Sequence, residues 1–290
     1  DEDIDNGFRP PGLFRLSETN VDNVLYLQDF GETYDSGSAT HNLVMYKHQK
    51  SGAIVFGAGT CQWSWGLDPM RQFGAVPHAH NFLNPRLGTD LSGTSEEVEQ
   101  ATANILADMR VFPLSLSPHL SLPSPSKDTI PPVSFPLPPS LSSPPLLSPS
   151  SPFFFMKFFS LDRGGGCLAA LEVSINGSHF YPARRYKKDT DSEIFGDEHS
   201  DNPCSPTWVI EVPVTFLNEN LSNSMKFSPF VADNSVKLQL KEGENQSICV
   251  TVRGVDDSGN IEETNYGYCK HTLLLESQQN ARKYHFLSLE

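Results

Sequence analysis

Positive charge is scarce in this sequence. Its 290 residues hold 21 Lys and Arg against 35 Asp and Glu, a formal net charge of −14. That balance argues against nucleic acid and against an anionic membrane surface as partners. Long apolar runs are missing too: the longest aromatic cluster, Phe153–Phe159, is interrupted by Lys157 and falls far short of the ~20 residues that a spanning helix needs. No membrane span is expected. None of the five cysteines, Cys61, Cys167, Cys204, Cys249 and Cys269, forms a C-x-x-C pair, which removes the usual frame of a structural zinc site. The chain opens Asp1-Glu2-Asp3-Ile4-Asp5 without a methionine or a signal-peptide pattern, so a fragment or processed chain is expected. Three cysteines stand after residue 200, where disulfides are possible. Three acceptor sequons begin at Asn176, Asn220 and Asn245. Together these suggest an extracellular or secretory location.

The chain is organised around Gly52–Asp68. Ala53–Phe56 is a short unbroken apolar run, too short for an ordinary helix and suited to a strand buried on both faces. Gly57, Ala58 and Gly59 remove side-chain bulk where that strand should end, which lets a backbone or ligand come close. Trp63, Trp65 and Asp68 follow. Two accounts fit them. The tryptophans wall a pocket with Asp68 at its mouth, or they plug a core edge against the helix that comes later. Thr40–Lys47 reads as a preceding strand, joined to Ala53–Phe56 by the polar connection His48–Gly52 as a hairpin. Before it, residues 1 to about 35 are rich in turn formers, with a brief strand at Val24–Leu27.

Thr94–Val111 carries the pattern of an amphipathic helix. Thr94 and Glu97 form a capping box, and Glu96, Glu97 and Glu99 place negative charge at the start. Val98, Ala101, Ile105 and Met109 line one face. Pro113 ends it. In the irregular stretch before the helix, His78 and His80 lack a third ligand at a supporting spacing and read as loop residues.

Composition changes sharply at Pro113. More than half of the 23 prolines fall between Pro113 and Pro152, among serines, with Lys127 and Asp128 the only residues charged at neutral pH. A segment so poor in donors and charge is expected to be disordered, whether as a spacer, a proline-rich ligand or translated intron sequence. After Gly164-Gly165-Gly166 the pattern alternates: Leu171, Val173 and Ile175; Trp208, Ile210, Val212 and Val214; Val236, Leu238 and Leu240; Ile248, Val250 and Val252; then Tyr266–Leu275. Several short alternating strands indicate a β-sandwich. Pro213 marks its strand as an edge. Arg184–Lys188 suits an anion or a solvated loop. Asp256, Ser258 and Asn260 alternate like the start of a calcium loop, but the bidentate glutamate is missing and a turn accounts for them.

Asp5-Asn6-Gly7-Phe8-Arg9-Pro10, Ala39-Thr40-His41, all of Gly52–Asp68 and the helix with Gln100-Ala101-Thr102-Ala103-Asn104 resemble the C-terminal region of the N,N-dimethylformamidase large (beta) subunit. The likeness runs over roughly residues 3–112. Leu171–Gly177 and Val255–Asn260 resemble the immunoglobulin-like module that follows this unit in related chains, and also the dimerisation domain of molybdenum-cofactor oxidoreductases. The expected fold is therefore α+β overall. It comprises a partial α/β catalytic-type domain at 1–112, a disordered Pro/Ser-rich linker at 113–163 and an all-β immunoglobulin-like sandwich at 164–290.

The resemblance implies an iron-dependent amidohydrolase acting on C–N bonds of small amide-like substrates. It implies tyrosine and glutamate iron ligands and an upstream His-Asp-Glu-Tyr-Trp motif. That motif does not occur in this sequence. No metal ligand is therefore assigned, no cofactor is expected in this chain, and the chain alone is expected to be inactive. Trp63, Trp65, Asp68 and His41 match family positions and are the candidate binding residues. The alternative is a non-catalytic extracellular binding or adhesion module with a protein partner on the immunoglobulin-like domain.

Overall fold

The computed structural model describes residues 9–28, 32–60, 63–67, 94–136, 153–177, 179–189, 202–217, 238–241, 246–264, 271–278 and 281–288. The chain forms two compact units. The first holds residues 1–3 and 15–127, the second 4–14 and 128–290.

The first unit is built on a three-stranded sheet in the order β1-β2-β3, with β1 at Phe14–Gln28, β2 at Thr33–Lys47 and β3 at Ile54–Gly57. The hairpin at His48–Gly52 is present. His48 N donates to Ala53 O and Gly52 N to His48 O, both at 2.8 Å, and β2 and β3 pair antiparallel with Met45 opposite Phe56. The partial α/β catalytic-type domain is not found: the described strands here belong to an antiparallel meander. β3 is also not buried on both faces, since Val55 is 42% exposed. Its four-residue apolar run reflects pairing with β2 rather than burial in a parallel sheet. A short 3-10 turn at Trp63–Gly66 leads on, and α1 spans Glu96–Asp108.

The helix starts one residue later than its sequence suggests. Ser95, extended at φ −101° and ψ 118°, is the N-cap, and its hydroxyl oxygen accepts from Val98 N. Ser95 Oγ also donates to Glu97 Oε2 at 2.8 Å. The backbone N–H of Glu97 itself, and after it this bond from Ser95, lower the Glu97 carboxyl from its ordinary value. At the other end Arg110 turns into the left-handed region at φ +64°. The buried residues of α1 are Ala103 and Ala107, whereas Met109 is 38% exposed. The apolar stripe read from the sequence therefore faces the core only in part.

Among the described residues the second unit contains two sheets. One runs β10-β9-β5-β4, with β8 also on β9; the other runs β13-β12-β11-β6-β7. Their strands are β4 Val133–Pro136, β5 Phe153–Leu161, β6 Leu168–Ile175, β7 Tyr181–Pro182, β8 Arg184–Arg185, β9 Thr207–Leu217, β10 Leu238–Lys241, β11 Gln246–Asp256, β12 His271–Gln278 and β13 Ala281–Ser288. The sheets approach closely at Gly254 of β11. A Cβ added there would meet Ser134 Oγ and Ser160 Oγ, each at 2.8 Å. The two hydroxyls bond each other at 2.7 Å. Phe158, Val173, Val209, Val250 and Val252, each fully buried, supply the core.

The disordered linker is also corrected. The aromatic run Phe153–Phe159 is β5, an inner strand paired antiparallel with β4 and β9. Aromatic residues suit a pleated, buried surface, and here that outweighs the preceding proline density. In the first unit, residues 119–126 follow α1 through polar contacts. Ser121 N donates to Gln100 Oε1, Ser126 N to Asp108 Oδ1, and His119 Nε2 pairs with Glu99 Oε2. Half-buried polar side chains of the helix thus satisfy a proline-rich segment that has few donors of its own. Residues 137–152 lie outside the described residues. A third correction concerns Pro213. Its strand, β9, is an inner one: pairing with β5 reaches Pro213 opposite Phe153, and pairing with β10 begins at Val214. The proline sits where one ladder gives way to the other, so its missing N–H breaks neither. The last strand predicted over 266–275 is described from His271, as β12.

Candidate functional site

Trp63 stands at the start of the 3-10 turn, half-buried. Its indole Nε1–H donates to Thr102 Oγ1 on α1 at 3.1 Å, and its ring meets Phe56 of β3 edge-on at 5.1 Å between centroids. Thr102 Oγ1 in turn donates to Val98 O at 2.8 Å. Gly66 packs directly on Val98, and Ser95 N donates to Gly66 O at 2.9 Å. The turn is therefore fastened to the first turns of α1 by both side chain and backbone. Both anchors for Trp63, Thr102 and Phe56, are structural, which favours the plug over the pocket wall for this ring.

His41 sits on β2, where its Nε2 donates to Ala58 O at 2.8 Å. That bond holds the Gly57-Ala58-Gly59 segment beside β2. Gly59 takes φ +64°, and a Cβ on Gly57 would press against Val44 at 2.9 Å. The small residues are thus explained by close backbone packing within this sheet. Trp65 contributes backbone to the 3-10 turn; its side chain and Asp68 lie outside the described residues, as do His78 and His80. The structure therefore brings Trp63 and His41 to opposite ends of one segment, Gly57–Trp63, without placing the other two candidates.

In the second unit, two loops and the end of β11 deliver carboxylates to one place. Asp128, Asp162 and Asp256 each offer an oxygen within 4.8 Å of the others. Each also closes its own turn. Asp128 Oδ1 accepts from Ile130 N, and Asp162 Oδ1 accepts from Gly164 N. Asp256 Oδ1 accepts from both Ser258 N and Asn260 N, and its Oδ2 accepts from Asn260 Nδ2. Beside them Asp257 Oδ2 accepts from Cys167 N at 3.0 Å. Glycines make room: any Cβ on Gly164 would collide with the Asp128 carboxylate, and one on Gly166 with that of Asp257.

Burial raises Asp256 above the ordinary carboxylate range, and the negative charge of Asp128 adds to it. Desolvation raises Asp257 similarly, with contributions from Asp162 and Asp128. Such a set of oxygens has the chemistry of a hard-cation site, but the turns already account for each acid. The calcium-loop alternation at 256–260 is a turn, with Gly259 N donating to Asp256 O at 3.1 Å.

Cys167 and Cys204 form a disulfide across 37 positions, and Cys249 is also disulfide-bonded. Cys167 links the bridge to the acidic turns, since Asp257 N donates to Cys167 O and Leu168 N to Cys204 O, both at 2.9 Å. Asn176, the first sequon residue, is exposed at φ +50° in the turn after β6, with its Oδ1 accepting from Cys249 N at 2.8 Å. Asn220 and Asn245 lie outside the described residues. In the basic run, Arg185 stacks its guanidinium over Trp208 at 5.6 Å.

Residues 1–80 match the family model described as N,N-dimethylformamidase beta subunit-like, C-terminal. The match takes in His41, Trp63, Trp65 and Asp68. It ends before α1, short of the span to residue 112 suggested by wording alone. Among curated proteins, no match was found. Among the described residues, the side chains of Asp128, Asp162 and Asp256 in the second unit converge as a group that could hold a metal ion. Among the described residues no helix is long and apolar enough to cross a membrane.

Proposed function

We propose that this chain carries the C-terminal part of an N,N-dimethylformamidase-like amidohydrolase, fused to a disulfide-bonded, immunoglobulin-like β module, and that it does not hydrolyse amides by itself. The observation that carries the reading is the family match over residues 1–80. Two features of the chain support the inactivity. The His-Asp-Glu-Tyr-Trp motif implied by the resemblance does not occur in its sequence, and Trp63 and His41 are engaged by Thr102 and Ala58 rather than turned to a reacting group. In this reading the first unit is a wall of a larger catalytic domain. Its exposed Leu16, Val21, Leu25 and Val55 support that role, because a sheet so rich in exposed apolar residues gains by being covered.

Formamide and N,N-dimethylformamide turnover with added ferrous iron tests the proposal. No ammonia or dimethylamine above the no-enzyme rate is the expected result. Turnover together with near-stoichiometric iron in the purified chain would overturn it.

A second reading, a non-catalytic extracellular binding module made in the secretory pathway, is favoured by the Cys167–Cys204 disulfide and the exposed Asn176 sequon. Secretion from a eukaryotic host followed by glycopeptide mapping tests it. A glycan at Asn176 would support this reading, and retention of the chain in the cytosol with reduced cysteines would remove it.

A further inference from the structure

Residues 9–14, which lead into β1 at the other end of the chain, pack with the second unit. Pro10-Pro11-Gly12-Leu13 forms a turn, with Leu13 N donating to Pro10 O at 3.3 Å and Gly12 at φ +76°. Gly12 is buried, and Phe14 is only 4% exposed. The Gly12 N–H donates to Glu172 Oε1 on β6 at 3.2 Å. The other oxygen, Glu172 Oε2, accepts from Arg253 Nε on β11 at 2.6 Å. The Arg253 guanidinium lies 3.7 Å from the centroid of Phe180. A Cβ on Gly12 would meet Ile261 Cδ1 at 2.5 Å, and Ile261 is bridged to Val255.

We propose that residues 9–14 are a strap that closes the second unit, with the groove between Glu172 and Ile261 built to receive a Pro-Pro-Gly turn. Glu172 is 1% exposed. A carboxylate buried to that extent needs donors on both oxygens, because one left unsatisfied keeps its desolvation cost. Arg253 serves one oxygen, and the strap serves the other through a backbone N–H. The position also needs glycine twice over, for its positive φ and for the space that Ile261 takes up. The two prolines before it fix the turn and lower the entropy lost on docking. A segment within the family-matched residues therefore completes the β unit, and that unit is not an appended bead with its own closed core.

Hydrogen–deuterium exchange on the full chain tests this. In the native protein, amides of Gly12, Leu13 and Phe14 are expected to exchange at least ~100-fold slower than unstructured chain, as protected secondary structure does. Gly12→Ala is expected to speed exchange in residues 9–14 and in β6 and β11, with α1 unchanged. Glu172→Gln gives a second arm should Gly12→Ala fail to fold; its single amide oxygen cannot serve both Gly12 N and Arg253 Nε, so the same three segments should loosen. Unstructured-rate exchange at 12–14 in the native chain overturns the strap. So does loosening of 9–14 in either variant without any change in β6 and β11.

Discussion

Replacing Trp63 by alanine removes three separable contributions, each set by its surroundings. The ring is half-buried, so about 100 Å² of the 150–250 Å² of an indole leaves water. At ~25 cal/mol per Å² that is roughly 2.5 kcal/mol, an upper estimate because the unfolded chain is not fully extended. The edge contact with Phe56 adds about 0.5–1.5 kcal/mol. The bond to Thr102 adds about 0.5–1 kcal/mol, at the low end because the Thr102 hydroxyl keeps Val98 O as its own acceptor when the indole is gone. With the burial term discounted for a compact unfolded chain, Trp63→Ala should therefore destabilise the first unit by about 2.5–5 kcal/mol, in the range for aromatic deletions in cores.

Trp63→Phe separates the terms. It keeps an aromatic ring against Phe56 but loses the N–H and part of the indole's area, so about 1–2 kcal/mol is expected. Thr102→Val removes the same bond from the other side, and the double variant should cost less than the two singles added together. Urea unfolding followed by circular dichroism, with the loss of α1 as the signal, reads these differences. A cost below about 0.5 kcal/mol for Trp63→Ala would refute the plug, since surface positions lie in that range.

The acidic turns of the second unit give a pH-dependent outcome. Asp256 has a folded pKa above its unfolded one, so the native state binds the extra proton. Its contribution is present below the unfolded value and is lost as pH rises through the folded value. Asp128→Asn removes the neighbouring charge while keeping an acceptor for Ile130 N. It should raise the urea midpoint at pH 7, and the gain should vanish in acid; an equal gain at both pH values would show that charge is not the cause. Reducing Cys167–Cys204 releases a loop of 37 positions, for which chain entropy gives about 4 kcal/mol. Melting with and without reductant, against the Cys167→Ser/Cys204→Ser double variant, measures it. Ser95→Ala should cost about 1 kcal/mol of helix stability in the same urea assay.

What could be read from the sequence was local. The hairpin at His48–Gly52 follows from two apolar runs separated by polar turn formers, and the alternation at Leu171–Ile175 and Val250–Val252 places those residues in paired strands of one sheet. The helix was legible from its periodicity, but Ser95 rather than Thr94 caps it, because two adjacent hydroxyl residues look alike until the backbone angles decide between them. What failed depended on distant partners. The composition of its neighbours places Phe153–Phe159 in a linker, whereas β4 and β9 take it as an inner strand. Pro213 signalled an edge, a rule that holds for a proline inside a ladder but not for one at the junction of two. The convergence of Asp128, Asp162 and Asp256 could be read only as three separate turns, since nothing local relates positions so far apart. His41 and Trp63 were legible as residues of interest. Their partners Ala58 and Thr102 were not, and the partners decide the role.

The boundaries found by matching and by packing differ, and the difference has a physical origin. The family match covers residues 1–80, while packing assigns residues 4–14 to the second unit and 15–127 to the first. A sequence family records which residues travel together along the chain; a core records which side chains exclude water together. Gly12 satisfies both descriptions at once, lying inside the matched segment and bonded to Glu172, 160 positions away. Residues 119–126 show the same relation in reverse. They lie in the compositionally separate Pro/Ser-rich stretch, yet Gln100 and Asp108 of α1 bind their backbone. Cutting the chain at 112 and 163, where its composition changes, would leave Glu172 without the strap and α1 without the segment that its polar face holds. Cutting near 127 spares the second of these contacts but not the first. Neither cut keeps both sets of contacts, so a truncation meant to retain them in the second unit should include residues 9–14.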